Sequence, residues 1–213
     1  MTLVRSRSVA TAAFLITVAG PLAHAAERPA SFSGPYAGFD VASQNTIAGA
    51  LIAGVDTLAQ ANRGVASLAL GYRHQFAGGF VAGLEGNFGL TRGDLHHQDA
   101  TNGLTIDYEN STQYALGGTL GYAFGAARET LIYAYISETK RSFDVTVRGP
   151  LGVGNQKDEQ GLLRFGLGVE RRTSERLSLR ASVGTSRADF GDRRTNFDPK
   201  AKIDFSVGAI WQF

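Results

Sequence analysis

From about Pro35 to its last residue the sequence keeps one rule: apolar side chains take one parity, and glycine, hydroxyl or charge takes the other. The closing segment IDFSVGAIWQF shows it. Ile203, Phe205, Val207, Ala209, Trp211 and Phe213 share one side of an extended chain, while Lys202, Asp204, Ser206, Gly208 and Gln212 share the other, with Ile210 the exception. A period of two marks a half-buried strand, because successive side chains leave a strand on opposite faces. The same split recurs in FVAGLEGNF, YALGGTLGYAF, QGLLRFGLGVE and RLSLRASVG. It is weaker in PYAGFDVAS and VASLALGYRHQF. In LIYAYISETK the assignment puts Leu131, Tyr133 and Tyr135 outward and Glu138 inward, with Ile132 and Ile136 against it. The total is eight strands.

The connections alternate in length. Phe76–Gly79, Gly125–Glu129 and Thr173–Glu175 are tight links, whereas those centred on Ala50, His97, Gly154 and Arg194 run to about a dozen residues or more. Short turns on one side and long loops on the other are the pattern of an outer-membrane barrel. No apolar run in the mature chain reaches the ~18 residues of a spanning helix. In hydrocarbon every backbone N–H and C=O must be paired within the protein, so a spanning sheet has no free edge and strand eight must meet strand one. The expected fold is all-β: an eight-stranded antiparallel up-and-down transmembrane β-barrel over residues 34–213, both termini on the periplasmic side. Trp211 and Phe213 then fall in the aromatic girdle at the membrane boundary.

The N-terminus agrees with export. MTLVRSRS carries two arginines and no acid, VATAAFLITVAGPLA follows as a short apolar run, and Ala23-His24-Ala25 fits a cleavage site. This predicts a signal peptide over 1–25 and a short periplasmic segment over 26–33. Of 21 Lys+Arg the signal removes Arg5 and Arg7, leaving 19 against 19 Asp+Glu, so the mature chain is formally neutral and gives no support to nucleic-acid binding. Cysteine is absent, so no disulfide or thiolate metal site is available. The expected location is the Gram-negative outer membrane.

The polar parity also decides which face is lumen. It is rich in glycine, as at Gly83, Gly117, Gly166 and Gly208, where a water-facing surface would carry Lys and Glu. Small residues suit the inside of a narrow eight-stranded barrel. A soluble lipocalin-like barrel, with its apolar face inward, is the inverted alternative. Asp40, Arg73, Glu85, Glu138, Arg164, Glu170, Arg180 and Asp204 occupy the polar parity. In a narrow lumen such charges must pair, since an unpaired buried charge costs several kcal/mol. The expectation is a salt-bridge network that plugs the barrel, with Glu85 and Arg180 the first pair to test.

The stretches GYRHQFAGGFVAGLEGNFG, GGTLGYAFG, LLRFGLGVERRTSERLSLRAS and VGAIWQF resemble successive blocks of small Gram-negative outer-membrane barrels of the opacity and OmpA/OmpX-like type. The resemblance covers nearly the whole mature chain. It implies a C-terminal strand whose Trp211 and Phe213 serve as a signal to the barrel-assembly machinery. It further implies a non-enzymatic surface antigen, adhesin or membrane-stabilising protein in contact with outer-membrane lipid and lipopolysaccharide and with a host or envelope protein. Late in strand seven, where relatives often carry an acid and tyrosines, this chain has Ala181-Ser182-Val183-Gly184-Thr185.

Other chemistry is thinly represented. Enzymes on such barrels include lipid A deacylases with a Ser/His/acid arrangement, but His74 has no serine two residues on. His96 and His97 fall in the second long loop, where a metal or haem would be held weakly, and no cofactor is expected. A small pore is the third class. In the first long loop, Ile47, Leu51, Val55 and Leu58 recur at helical spacing, which predicts a short amphipathic helix. Leu51, Val55 and Leu58 are its candidate interaction residues, since exposed apolar patches often mark partner sites.

Overall fold

The computed structural model describes residues 31–52, 55–92, 95–99, 103–150, 152–189 and 203–213. The expected signal peptide, and the last long connection around Arg194, lie outside the described residues. Nine strand segments follow in order: β1 (Gly34–Ile52), β2 (Val55–Gln75), β3 (Phe80–Arg92), β4 (Leu95–Asp99), β5 (Leu104–Phe124), β6 (Thr130–Gly149), β7 (Gly152–Arg172), β8 (Leu177–Asp189) and β9 (Ile203–Gln212). All pairings are antiparallel. β1 meets β9 from Tyr36 opposite Gln212 to Ser43 opposite Phe205, and β3 meets β5 from Phe80 opposite Tyr122 to Thr91 opposite Ser111. Since β3 and β4 both pair with β5, they form one stave, and the nine segments close into a ring of eight.

The alternation in sequence becomes a two-sided wall. Leu70 (68% exposed), Leu84 (67%) and Leu116 (70%) face out, whereas Asp40, Arg73, Glu170 and Asp204 are buried within. Soluble proteins rarely expose a continuous apolar surface, so this orientation excludes the lipocalin-like alternative. On β5 the outward apolar stretch runs from Tyr114 to Phe124. At about 3.3 Å per residue and a tilt of ~40°, that is roughly 25 Å along the barrel axis, the height of a hydrocarbon band. Aromatic pairs mark its edges, Phe80 with Tyr122 at the short-turn end (ring centroids 5.4 Å apart) and Phe88 opposite Tyr114 further along.

The tight links sit where they were expected. Gly79 takes a positive φ of 91° and donates its N–H to Phe76 O in the β2–β3 turn. Such a backbone is open to glycine at no steric cost. The long connections differ from expectation, because most of their length is strand. β2, β5 and β7 each run 21 residues, about twice what crosses a bilayer. The apolar parity stops where lipid stops, but the hydrogen-bonded ladder continues into water.

The same cause corrects the expected helix. Ile47 to Ile52 belongs to β1 and Val55 to Leu58 to β2, with Leu51 opposite Asp56 and Ile52 opposite Val55. Extending an existing ladder fixes one residue at a time, whereas a new helix must first be nucleated, and Gly49 and Gly54 are poor helix formers.

Strand β6 has the opposite parity from the one assigned. Leu131 and Tyr133 are buried and Tyr135 is partly so, while Ile132 (52%) and Ile136 (54%) face out and Glu138 is exposed on the outer wall. Volume explains it. Tyr133 lies over Gly168, where an added Cβ would sit 2.3 Å from the tyrosine Cζ, and Tyr135 stands opposite Gly166 in register. Two tyrosines thus fill the space that the glycines of β7 leave, with their hydroxyls in a polar interior. Ile210, fully buried, packs inward over Gly38 in the same way.

Two substitutions on the outer wall separate membrane face from boundary. Leu120→Arg, in the apolar band, should lower the free energy of unfolding by about 2–4 kcal/mol, and Glu138→Leu should change it by less than about 1 kcal/mol. Urea unfolding in lipid vesicles measures both. A large loss for Glu138→Leu would mean that this carboxylate has partners inside.

Candidate functional site in the lumen

The inward parity of all eight staves builds a stack of polar layers. At the short-turn mouth the chain ahead of β1 turns inward. Phe32 is completely buried, with the guanidinium carbons of Arg73 and Arg172 each 4.9 Å from its ring centroid. Its N–H donates to Gln75 Oε1 at 2.8 Å, and Gln75 N–H donates to Ser33 Oγ at 2.9 Å. The end of the segment expected to be periplasmic therefore packs into the mouth of the barrel. Above it Arg73 makes a bidentate pair with Glu170 (2.7 and 2.9 Å) and also donates to Gln212 Oε1 at 3.0 Å.

The middle layer turns on Arg180. Its guanidinium reaches Asp40 through Nε (2.7 Å) and Nη2, and Glu85 through Nη1 at 2.5 Å. Glu85 accepts further bonds from the Tyr36 hydroxyl (2.8 Å) and Asn87 Nδ2 (2.9 Å). One strand away, Arg164 Nη2 lies 3.1 Å from Asp204 Oδ2, which also accepts from Ser186 Oγ at 3.1 Å. Asp204 Oδ1 accepts from the Asn45 N–H at 2.6 Å. A cavity of about 100 Å³ remains among these groups, lined by Asp40, Glu85, Gln44, Gln113, Arg164 and Arg180 with several serines.

The far end of the barrel carries two features that the sequence reading did not single out. Arg141, 1% exposed, projects inward from β6 and is held by Gln113, Gln44 and Thr46. Beyond it Ile106, Tyr108, Phe143 and Val145 form a buried apolar cluster, with the Tyr108 and Phe143 rings edge to face at 6.2 Å. The parity error on β6 is why Arg141 was missed: placing Glu138 inward puts Arg141, three residues on, outward. The tyrosines at 133 and 135, read with their glycine partners, were the available signal.

Of the eight charges assigned to the lumen, the structure groups Arg73 with Glu170, Arg164 with Asp204, and Arg180 with Asp40 and Glu85. Glu138 is not among them. Trp211 and Phe213 point outward at the short-turn end, and the Phe213 N–H donates to Pro35 O at 3.2 Å. Leu51, Val55 and Leu58 lie in the β1–β2 hairpin, in a stretch whose side chains lie outside what is described. His96 lies in β4, and its Nδ1 bonds Asp107, whose other oxygen is bonded by Arg148. The His96 hydrogen bond and the Arg148 charge hold the Asp107 carboxyl below the usual carboxylate range, against its desolvation. Among the described residues no three His, Cys, Asp or Glu side chains are grouped to hold a metal.

A closed antiparallel ring, apolar outside over about a bilayer's height and ionic inside, defines a membrane-spanning barrel. The family model of the outer membrane protein beta-barrel domain matches residues 10–213, and the chain belongs to that family. No curated protein matches the sequence. Among solved structures it is similar to Ail, the attachment invasion locus protein of Yersinia pestis (14% identity, 85% of this chain and 99% of that one, TM-score 0.46). It is also similar to Neisserial surface protein A (13%, 85% and 98%, 0.45) and to a major outer membrane protein of Thermus thermophilus (12%, 84% and 100%, 0.49). Likenesses at this level say nothing of activity or partners.

Two expectations follow from the site. Arg73→Met strands a buried Glu170 and should cost about 3–5 kcal/mol, while Arg73→Met with Glu170→Leu should recover most of that loss in urea unfolding. Because the Asp107 carboxyl is held low, the stability it lends to β4 is present above the ordinary carboxylate range and disappears as pH falls through its lowered value. Hydrogen exchange at Leu95–Asp99 should therefore accelerate in strong acid, and at neutral pH in Asp107→Asn; unchanged exchange in that variant would show that the clasp does not hold β4.

Proposed function

We propose that this chain is a non-enzymatic, plugged outer-membrane barrel that acts from its outer face, its long hairpins contacting a host or envelope protein while the closed ring stabilises the envelope. The observation that carries the reading is the length of β5, β6 and β7 beyond the apolar band. β6 and β7 stay paired from Arg141 opposite Gln160 out to Gly149 opposite Gly152, forming a stiff polar sheet. The His96–Asp107–Arg148 clasp ties β4, β5 and β6 together at that level. We read these hairpins as lying outside the cell, because barrels with short turns at one end and long strands or loops at the other carry the long ones extracellularly. The first hairpin, with Leu51, Val55 and Leu58, belongs to the same outer surface.

The plug rests on ion pairs across the lumen and apolar seals at both ends, Phe32 below and the Ile106 cluster above. An enzyme reading has less to stand on. His74 is exposed on the outer wall against the Phe76 ring, 4.8 Å between centroids, at the level of the girdle. Lipid and lipopolysaccharide meet the apolar band, and Trp211 and Phe213 are the residues we assign to recognition by the assembly machinery.

Three measurements test this. Replacing residues 144–157 by a two-residue turn should leave heat-modifiable, inserted barrel but abolish attachment of expressing cells to host cells; undiminished attachment would refute the contact role. Planar bilayers should show no discrete channel with the wild-type protein, and steady conductance would refute the plug. Deleting Phe213 should reduce outer-membrane insertion at least several-fold while barrel refolded in detergent keeps its stability; normal insertion would leave the aromatic ending to the girdle alone.

A further inference from the structure

The first hairpin leaves the ring as a ribbon of two strands. Among the described residues β1 pairs with β9 only as far as Ser43 opposite Phe205, and β2 with β3 only as far as Gly64 opposite Arg92. From there β1 and β2 pair with each other alone, out to Ile52 opposite Val55. At about 3.3 Å per residue and a tilt of ~40°, the stretch from Ser43 to Ile52 carries the tip roughly 20 Å beyond the ring. Polarity changes twice along it. The apolar outer wall of β1 ends at Val41, and a polar collar follows, Ser43–Thr46 against Gly64, Arg63, Asn62 and Ala61, with Gln44, Asn45, Thr46 and Arg63 buried. Past the collar Ile47 stands opposite Gln60, Gly49 opposite Leu58 and Leu51 opposite Asp56 on one face. Ala48 with Ala59, Ala50 with Thr57 and Ile52 with Val55 share the other.

Both faces of the tip are therefore aliphatic, and that pattern names its surroundings. A ribbon seated in a protein groove, or laid over the mouth of its own barrel, buries one face and keeps polar residues on the other. Apolar residues on both parities belong to an element with apolar surroundings on both sides. Charge points the same way. Asp56 is the single charge from Thr46 to Asn62, whereas the β6–β7 hairpin carries six from Arg141 to Gln160. The second hairpin has charges to match against a folded protein, and the first suits a surface without net charge. The free edges of the ribbon set how deep it can go. Unpaired N–H and C=O groups do not enter hydrocarbon, so such a tip stops at the boundary of headgroups and acyl chains, where water still meets the backbone.

We propose that the tip of the first hairpin, Ile47–Ile52 with Val55–Leu58, inserts shallowly into a zwitterionic lipid bilayer apposed to the outer end of the barrel. Leu51, Ile52, Val55 and Leu58 are its aliphatic anchor, and the polar collar separates the tip from the membrane that holds the barrel. The contact rests on the proposed outward placement of the long hairpins, and for this one hairpin a lipid surface stands where a protein would.

The chain has no cysteine, so a single introduced thiol is a clean label. Barrel in lipid nanodiscs, carrying bimane at Leu51→Cys, is mixed with phosphatidylcholine vesicles doped with nitroxide-labelled lipid, a quencher present in the vesicles alone. Fluorescence should fall several-fold, while bimane at Asn155→Cys on the β6–β7 hairpin keeps its intensity. Unlabelled wild-type discs should float with the vesicles, and Leu51→Asp with Val55→Asp should reduce flotation several-fold in a barrel that stays heat-modifiable. No quenching at Leu51→Cys, or equal quenching at Asn155→Cys, would overturn the proposal. So would emission already blue-shifted before vesicles are added and unchanged by them, the signature of a tip covered by its own barrel. Loss of host-cell attachment in the double aspartate variant without quenching by vesicles would assign the tip to a protein partner, refuting the lipid contact while leaving the outer hairpins as contact surfaces.

Discussion

Nothing in the hydrocarbon of a membrane can hydrogen-bond a backbone amide, and the rest of this structure depends on that constraint. It obliges β9 to find β1, from Tyr36 opposite Gln212 to Ser43 opposite Phe205, and obliges β3 to find β5. A ring of eight staves is narrow, so its inward side chains must fill a thin column. That is why Tyr133 stands over Gly168 and Ile210 over Gly38, large against small. The column admits charge only where charges can meet across it.

Those charges do a particular job. A buried ion pair contributes little net stability, because the desolvation of two ions offsets their attraction. Arg180 on β8, however, joins Asp40 on β1 and Glu85 on β3, and Arg73 on β2 joins Glu170 on β7. Each of these contacts spans strands that are not neighbours in the ring. They form only once the sheet has closed, and a slip of one residue would carry the charges to the lipid face. The network therefore discriminates against open and misregistered sheets more than it stabilises the correct one.

The sequence shows the wall more clearly than what the wall encloses. A parity of two is written in every stave, so the closed barrel, its lipid face and seven of eight inward charges could be read directly. Where both parities carry bulk, as in Leu131-Ile132-Tyr133, hydropathy cannot choose, and the choice of face for Glu138 and Arg141 falls to packing against β7. Strand length fails for a related reason: beyond the lipid the alternation fades while the ladder persists, so Ile47 to Leu58 reads as a helix and folds as a hairpin. Phe32 is hidden differently. It precedes the first strand, and only the cluster of Arg73, Arg172 and Gln75 at the mouth explains why an aromatic ring there turns inward.

Both ends of the polar lumen carry buried apolar side chains. Phe32 is buried at the short-turn end, and Ile106, Tyr108, Phe143 and Val145 form a buried cluster at the other. The barrel surface between the girdles is committed to lipid, and the short turns are too small to present a site. The part of β1, β2 and β4–β7 that rises past the apolar band is held by backbone pairing, and its outward side chains are released from the demands of lipid.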